Sequence, residues 1–158
     1  MGTYDTAQIC INGHVITEYY NEFPQFRKKY CSDCGASTIT SCQNCNTPIR
    51  GGYSESFTSS QSPAPSFCHN CGKPYPWVES KLKAARELSD ETENLTDDER
   101  ESLKKSLDDI IRDTPQTPLA TTRFKKLAAK AGKVAADGLR DILIDIASEA
   151  AKKAIWGV

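Results

Sequence analysis

From Val78 onward the apolar positions recur at helical spacing; before it they do not. Val78, Leu82, Ala85 and Leu88 share one face and predict a first helix over 78–92. Thr96-Asp-Asp-Glu99 has the form of a capping box, a threonine N-cap with a glutamate three residues later. It opens a second helix to about Arg112, with Leu103, Leu107, Ile110 and Ile111 on one face. Both helices are short and acidic and need tertiary packing to persist. The prolines at 115 and 118 then interrupt the pattern, and Thr117-Pro118 predicts the N-cap and first position of a third helical segment.

That segment runs to Trp156 without a proline after Pro118. A continuous helix over 118–156 is about 58 Å long, at about 1.5 Å per residue. Gly132 and Gly138 are its weak points, each costing about 1 kcal/mol against alanine. One face follows Phe124, Ala128, Ala131, Ala135, Leu139, Ile142, Ile146 and Ala150. Its mean step of about 3.7 residues is closer to an 11-residue repeat than to a heptad, so a left-handed zipper is disfavoured. Leu127, Val134, Leu143, Ala147, Ala151, Ala154 and Ile155 widen the face. The expectation is close packing against another helix or a second copy of the chain.

Residues 1–77 are polar and carry all seven cysteines and both histidines, and Thr38, Ile39 and Thr40 suit a short strand. Four ligand-like pairs occur in order: Cys10 with His14, Cys31 with Cys34, Cys42 with Cys45, and Cys68 with Cys71. Each spacing lets a tight turn bring two donors to one cation, and Gly35 and Gly72 suit the positive φ of such a turn. Seven cysteines and His14 make eight donors, two complete tetrahedra, which explains the odd cysteine. Consecutive pairing gives site 1 as Cys10, His14, Cys31 and Cys34, within about 7–37, and site 2 as Cys42, Cys45, Cys68 and Cys71, within about 38–77. It is preferred to a cross-brace because each intervening segment then resembles a hairpin. The spread of the pairs disfavours an iron–sulfur cluster. His69, between two site 2 donors, reads as an exposed turn residue.

The fold class expected is therefore a small zinc-stabilised β region of tandem zinc ribbons, followed by an all-α region of about three helices. Its parts are the ribbons at 1–77, two short acidic helices at 78–113 and a long amphipathic region at 114–158. The two Zn²⁺ ions are structural, because each donor set is closed and catalytic zinc keeps a position open. They substitute for a core that so polar a stretch cannot build. Residues 53–67, rich in serine and proline, read as a mobile insertion, or as a docking loop using Tyr53 and Phe57. Lys73-Pro-Tyr-Pro-Trp77 reads as extended, with Tyr75 and Trp77 packing the ribbon onto the adjoining C-terminal segment.

Charge refines the picture. Residues 1–78 carry five bases and five acids; 79–113 carry seven and twelve; 114–158 carry eight and four. The ribbons therefore offer a poor electrostatic footprint for nucleic acid, although Arg27, Lys28 and Lys29 cluster. Arg123, Lys125, Lys126, Lys130 and Lys133 form a basic stretch that suits a solvated face, the acidic helices, a protein partner or an anionic membrane surface. There is no transmembrane-length apolar run, no basic-then-apolar leader, no phosphate-binding loop and no nucleophile elbow. The reading is a cytoplasmic, non-enzymatic adaptor without a small-molecule substrate. It assembles with a protein partner or itself through its ribbons and 118–156. A nucleic-acid-binding regulator and a membrane-surface protein are the alternatives.

The stretches YDTAQICINGHVI, YCSDCGASTIT, CQNCNTPIRG, FCHNCGKPYPW and RFKKLAAKAGKVAADGLRDILIDIASEAAKKAIWG resemble an uncharacterised bacterial family with an N-terminal double zinc ribbon and a helical C-terminal region. The resemblance spans nearly the whole chain and implies a bacterial cytosolic protein with the same eight metal ligands.

Overall fold

Short strands form around Ile9, Val15, Ile16 and Ile39, and helices form where apolar positions recur every three to four residues. The computed structural model describes residues 2–54 and 61–158. The chain divides into two compact units, Met1–Glu79 and Ser80–Val158. Phe57 and the centre of the 53–67 insertion lie outside the described residues.

The first unit holds five strands among the described residues: β1 (Tyr4–Thr6), β2 (Gln8–Cys10), β3 (Val15–Thr17), β4 (Thr38–Ile39) and β5 (Arg50–Tyr53). Their pairings are antiparallel. β1 pairs with β5, while β2 lies between β3 and β4. Two strands separated by one residue thus belong to different sheets. Ala7 is the crossing point, and its N–H donates to the Ile49 carbonyl at 2.8 Å. The ribbons are interleaved here, and Ala7, Ile9 and Ile49 are buried between them. Gly51 is needed at this crossing, because a Cβ there would strike the Glu18 carbonyl and the backbone of Thr6 and Ala7.

The helices are α1 (Pro76–Asp90), α2 (Asp97–Ile110), α3 (Thr117–Ala131), α4 (Lys133–Leu143) and α5 (Glu149–Trp156). The boundary between the units falls within α1. Helix begins at Pro76, inside the stretch expected to be extended, because proline is tolerated in a first turn, where its missing N–H has no helical partner. Tyr75 and Trp77 are buried and stack with ring centroids 4.8 Å apart. The Trp77 indole N–H donates to the Pro65 carbonyl at 2.9 Å.

The expected 118–156 helix is three helices, so the described residues contain five rather than about three. Gly132 ends α3 with φ 105° and ψ 163°, a conformation open to glycine. Gly138, the other suspected weak point, stays helical and admits the Leu88 side chain against its backbone. The second break follows Leu143, and Ser148 restarts the chain by accepting the Ala151 N–H at 3.2 Å. The 11-residue repeat is consequently not realised. Phe124, Ala128, Ala131, Leu139 and Ile146 of the traced face are buried in the second unit beside Leu103, Leu107 and Ile110, whereas Ala150 is exposed. Thr117 is the first residue of α3 rather than its N-cap; its hydroxyl donates to the Arg112 carbonyl at 2.6 Å.

The capping box forms as the sequence indicates. Thr96 Oγ1 accepts the Glu99 N–H at 3.2 Å, and Glu99 Oε1 accepts the Thr96 N–H at 3.0 Å. Glu99 Oε2 also meets Lys130 Nζ at 2.7 Å. Lys130 first, then the Thr96 N–H, holds the Glu99 carboxyl below its ordinary value. Stability from a depressed carboxylate is present above its unfolded pKa and is lost as pH falls through the folded one. Glu99→Gln keeps a capping-box side chain but removes the charge. It is therefore expected to lower the helical melting temperature at about pH 7 and to match the parent well below about pH 4, the ordinary range of a glutamate. Thermal scans of helical ellipticity at the two pH values check this.

Candidate metal centres

The four donor pairs sit on tight turns; the three Cys-x2-Cys turns share one geometry, and the bonds of the Cys10–His14 turn each span one residue fewer. In each, the N–H of the first donor residue bonds a carbonyl beyond the turn. These are Cys10 to His14, Cys31 to Ala36, Cys42 to Thr47 and Cys68 to Lys73, at 2.8–2.9 Å. The carbonyl of the first cysteine in turn accepts from Gly13, Gly35, Asn46 or Gly72, at 2.8–2.9 Å. Each of these donating residues has positive φ. Asn46, at φ 62°, occupies the place glycine takes elsewhere, which asparagine tolerates better than most residues. Outside the last three turns, Tyr30 bridges Ser37, Ser41 bridges Pro48, and Phe67 bridges Pro74. The β2–β3 hairpin closes the first.

These turns face one another in consecutive pairs. Cys10, His14, Cys31 and Cys34 form one cluster, and Cys42, Cys45, Cys68 and Cys71 the other. Within each, all donor atoms lie within 4.8 Å of one another. The first cysteine of every turn is buried, and the second donor is more exposed. His69 is exposed and outside both clusters.

The spacing tests what could fill them. An ion with metal–sulfur bonds of about 2.3 Å and metal–nitrogen bonds of about 2.0–2.1 Å sets tetrahedral edges of about 3.8 Å for S–S and about 3.6 Å for S–N. Cys10 Sγ is 3.8 Å from Cys34 Sγ and 3.4 Å from His14 Nδ1, and Cys31 Sγ is 3.6 Å from the same nitrogen. In the second cluster, Cys42 to Cys71 and Cys45 to Cys68 are both 3.7 Å. A disulfide requires about 2.05 Å, so these are not disulfide pairs. Both clusters fit a single tetrahedral cation.

Further donors converge on the sulfurs. The N–H groups of His14, Asp33 and Asn70 point to Cys10, Cys31 and Cys68 Sγ at 3.3, 3.4 and 3.4 Å. Two side-chain amides cross from one turn to the other. Asn12 Nδ2 donates to Cys34 Sγ at 3.3 Å, and Asn70 Nδ2 to Cys45 Sγ at 3.7 Å. Asn12, followed by the Ala36 N–H, draws the Cys34 thiol down to about 6. The Thr47 hydroxyl, 3.2 Å away, and the Thr47 N–H do the same for Cys45, also to about 6. Both of these more accessible sulfurs are thereby prepared as thiolates, the form that ligates metal. Asn12 and Asn70 are not marked by the ligand spacing itself; their positions inside the turns are the signal that could have found them.

Residues 3–155 match a family model described as "Uncharacterized protein conserved in bacteria (DUF2321)". The chain belongs to this family. No curated protein and no solved structure matches it. In this DUF2321 chain the matched span contains all eight donors and nearly the whole of the helical region. No helix among the described residues is long and apolar enough to cross a membrane.

Proposed function

We propose that this DUF2321 protein is a non-enzymatic zinc-ribbon adaptor that binds other proteins in the bacterial cytoplasm. The observation that carries the reading is a run of exposed aromatic side chains on a scaffold with two closed donor sets. Tyr19 meets Phe23 edge-on at 5.8 Å, and Phe23 meets Phe26 at 5.9 Å. Phe26 is 55% and Tyr30 57% exposed. Exposed aromatic clusters on a rigid frame are what protein interfaces use as anchors. Thiolate and imidazole donors in tetrahedral array suit zinc. A multi-iron cluster would hold its cysteines farther apart, because they bind different irons. Four protein donors per ion leave no coordination position for a substrate, which supports a structural role. The helical unit adds outer faces with Leu119, Val134 and the exposed cations Arg123, Lys125 and Lys126 for docking or self-association.

Metal content and cobalt substitution test the centre of this reading. Two zinc ions per chain are expected, one for each cluster. The Co²⁺ form should give tetrahedral thiolate spectra, with His14→Ala altering only one site. Iron with acid-labile sulfide, or an octahedral cobalt spectrum, would overturn it.

A further inference from the structure

Beside the ribbons lies a groove of about 640 Å³ that the metal sites do not use. One wall is the loop Arg27-Lys28-Lys29, and the other is the five-residue run Ser37–Ser41, which contains β4. Among the described residues, no acidic side chain lines it. The basic loop is held by its main chain. Gln8, only 6% exposed, accepts the Lys28 N–H at 3.0 Å through Oε1 and donates to the Lys28 carbonyl at 2.6 Å through Nε2. Thr38 Oγ1 donates to the same carbonyl at 2.8 Å. A buried amide thus fixes the Lys28 backbone at the middle of three successive exposed cations.

We infer that this groove docks an acidic segment of a partner protein in extended conformation. This rests on the adaptor reading and names its partner chemistry. β4 lies at the edge of its three-stranded sheet, and an edge strand suits a short peptide in extended conformation. Three cations and no acid supply the charge complementarity. Single-stranded nucleic acid needs open aromatic faces for base stacking. Here Arg27 Cζ lies 3.9 Å over the Tyr20 ring, and Lys29 Nζ lies 5.7 Å from the Tyr30 ring. Arg27 thus occupies one face of the Tyr20 ring, and the first 78 residues have no net positive charge.

Fluorescence anisotropy on the full-length, metal-loaded protein tests this. The probes are labelled ten-residue peptides alternating glutamate with valine or lysine with valine, and a labelled ten-nucleotide oligouridine. Saturable binding of the glutamate peptide alone is expected, weakening as salt rises. Changing Arg27, Lys28 and Lys29 together to Ala should weaken it at least tenfold, with metal content and circular dichroism unchanged. The pair Lys125→Ala and Lys126→Ala should leave it unchanged. Equal binding by the parent and the triple variant would overturn the proposal, as would tighter binding of the oligouridine. Metal analysis of the same samples separates the two readings. Loss of the zinc assignment appears there, and loss of the groove assignment appears only in the anisotropy.

Discussion

Chelating the metal is expected to unfold the first unit and leave the helical unit folded. The buried apolar side chains of residues 1–79, apart from the cysteines, are Ala7, Ile9, Ile49, Tyr75, Trp77 and Val78 among the described residues. That is a thin core for its length. A structural zinc contributes about 10–16 kcal/mol at neutral pH, whereas a whole domain is stable by about 5–15 kcal/mol. If each cluster holds a zinc ion, removing both takes away more than the unit's net stability. The strands cannot compensate, because none of those described exceeds four residues and the pairing outside three of the turns is an isolated bridge. The second unit contains no donor cysteine or histidine and buries Leu103, Leu107, Ile110, Leu139 and Leu143 completely. An amide correlation spectrum in excess chelator should therefore lose dispersion for the first unit and retain it for residues of α2–α5. Retention of both sets would mean that the interleaved strands hold without metal, and would overturn a structural role for it.

The donor set was legible because its signal is local. Two donors two or three residues apart in a turn make a short-range pattern, and eight such donors close two tetrahedra with none left over. Asn46 shows the limit of that signal. Its turn geometry matches that of Gly35 and Gly72, but asparagine occurs in many contexts and does not announce a positive φ. The interleaving of the ribbons was not legible at all. Tyr4 and Tyr53 are distant in sequence yet partners in the ladder, and three-residue strands carry too little alternation to choose a mate. In the second unit the capping box at Thr96 was legible because both of its bonds lie within four residues. The restart at Ser148 was hidden because the apolar rhythm continues across it. Ile142 and Ile146 keep helical spacing while the chain between α4 and α5 leaves the helix. Tertiary contacts decide there. The Ser148 N–H donates to the carbonyl of Ile110, at the end of α2, at 2.9 Å. Such a bond between distant segments has no sequence pattern.

Phe124→Ala is expected to cost the helical unit about 3–5 kcal/mol. The ring is 2% exposed and meets Trp156 edge-on at 5.9 Å, so its removal opens a cavity where α3 and α5 pack. The same substitution decides what the broad apolar face is for. If the face is an internal core, as its burial within a single chain indicates, the loss appears as a lower melting temperature independent of protein concentration. If a second copy completes it, melting rises with concentration, because association stabilises by mass action. Val134→Ala is the matching control. Val134 is 89% exposed and on the outside of α4, so its truncation should change monomer stability by less than about 0.5 kcal/mol. A Val134→Ala variant that instead halves the light-scattering mass would place self-association on the outer face of α4. The Phe124 cavity would then remain a matter of folding, and the assembly surface would be distinct from the core that supports it.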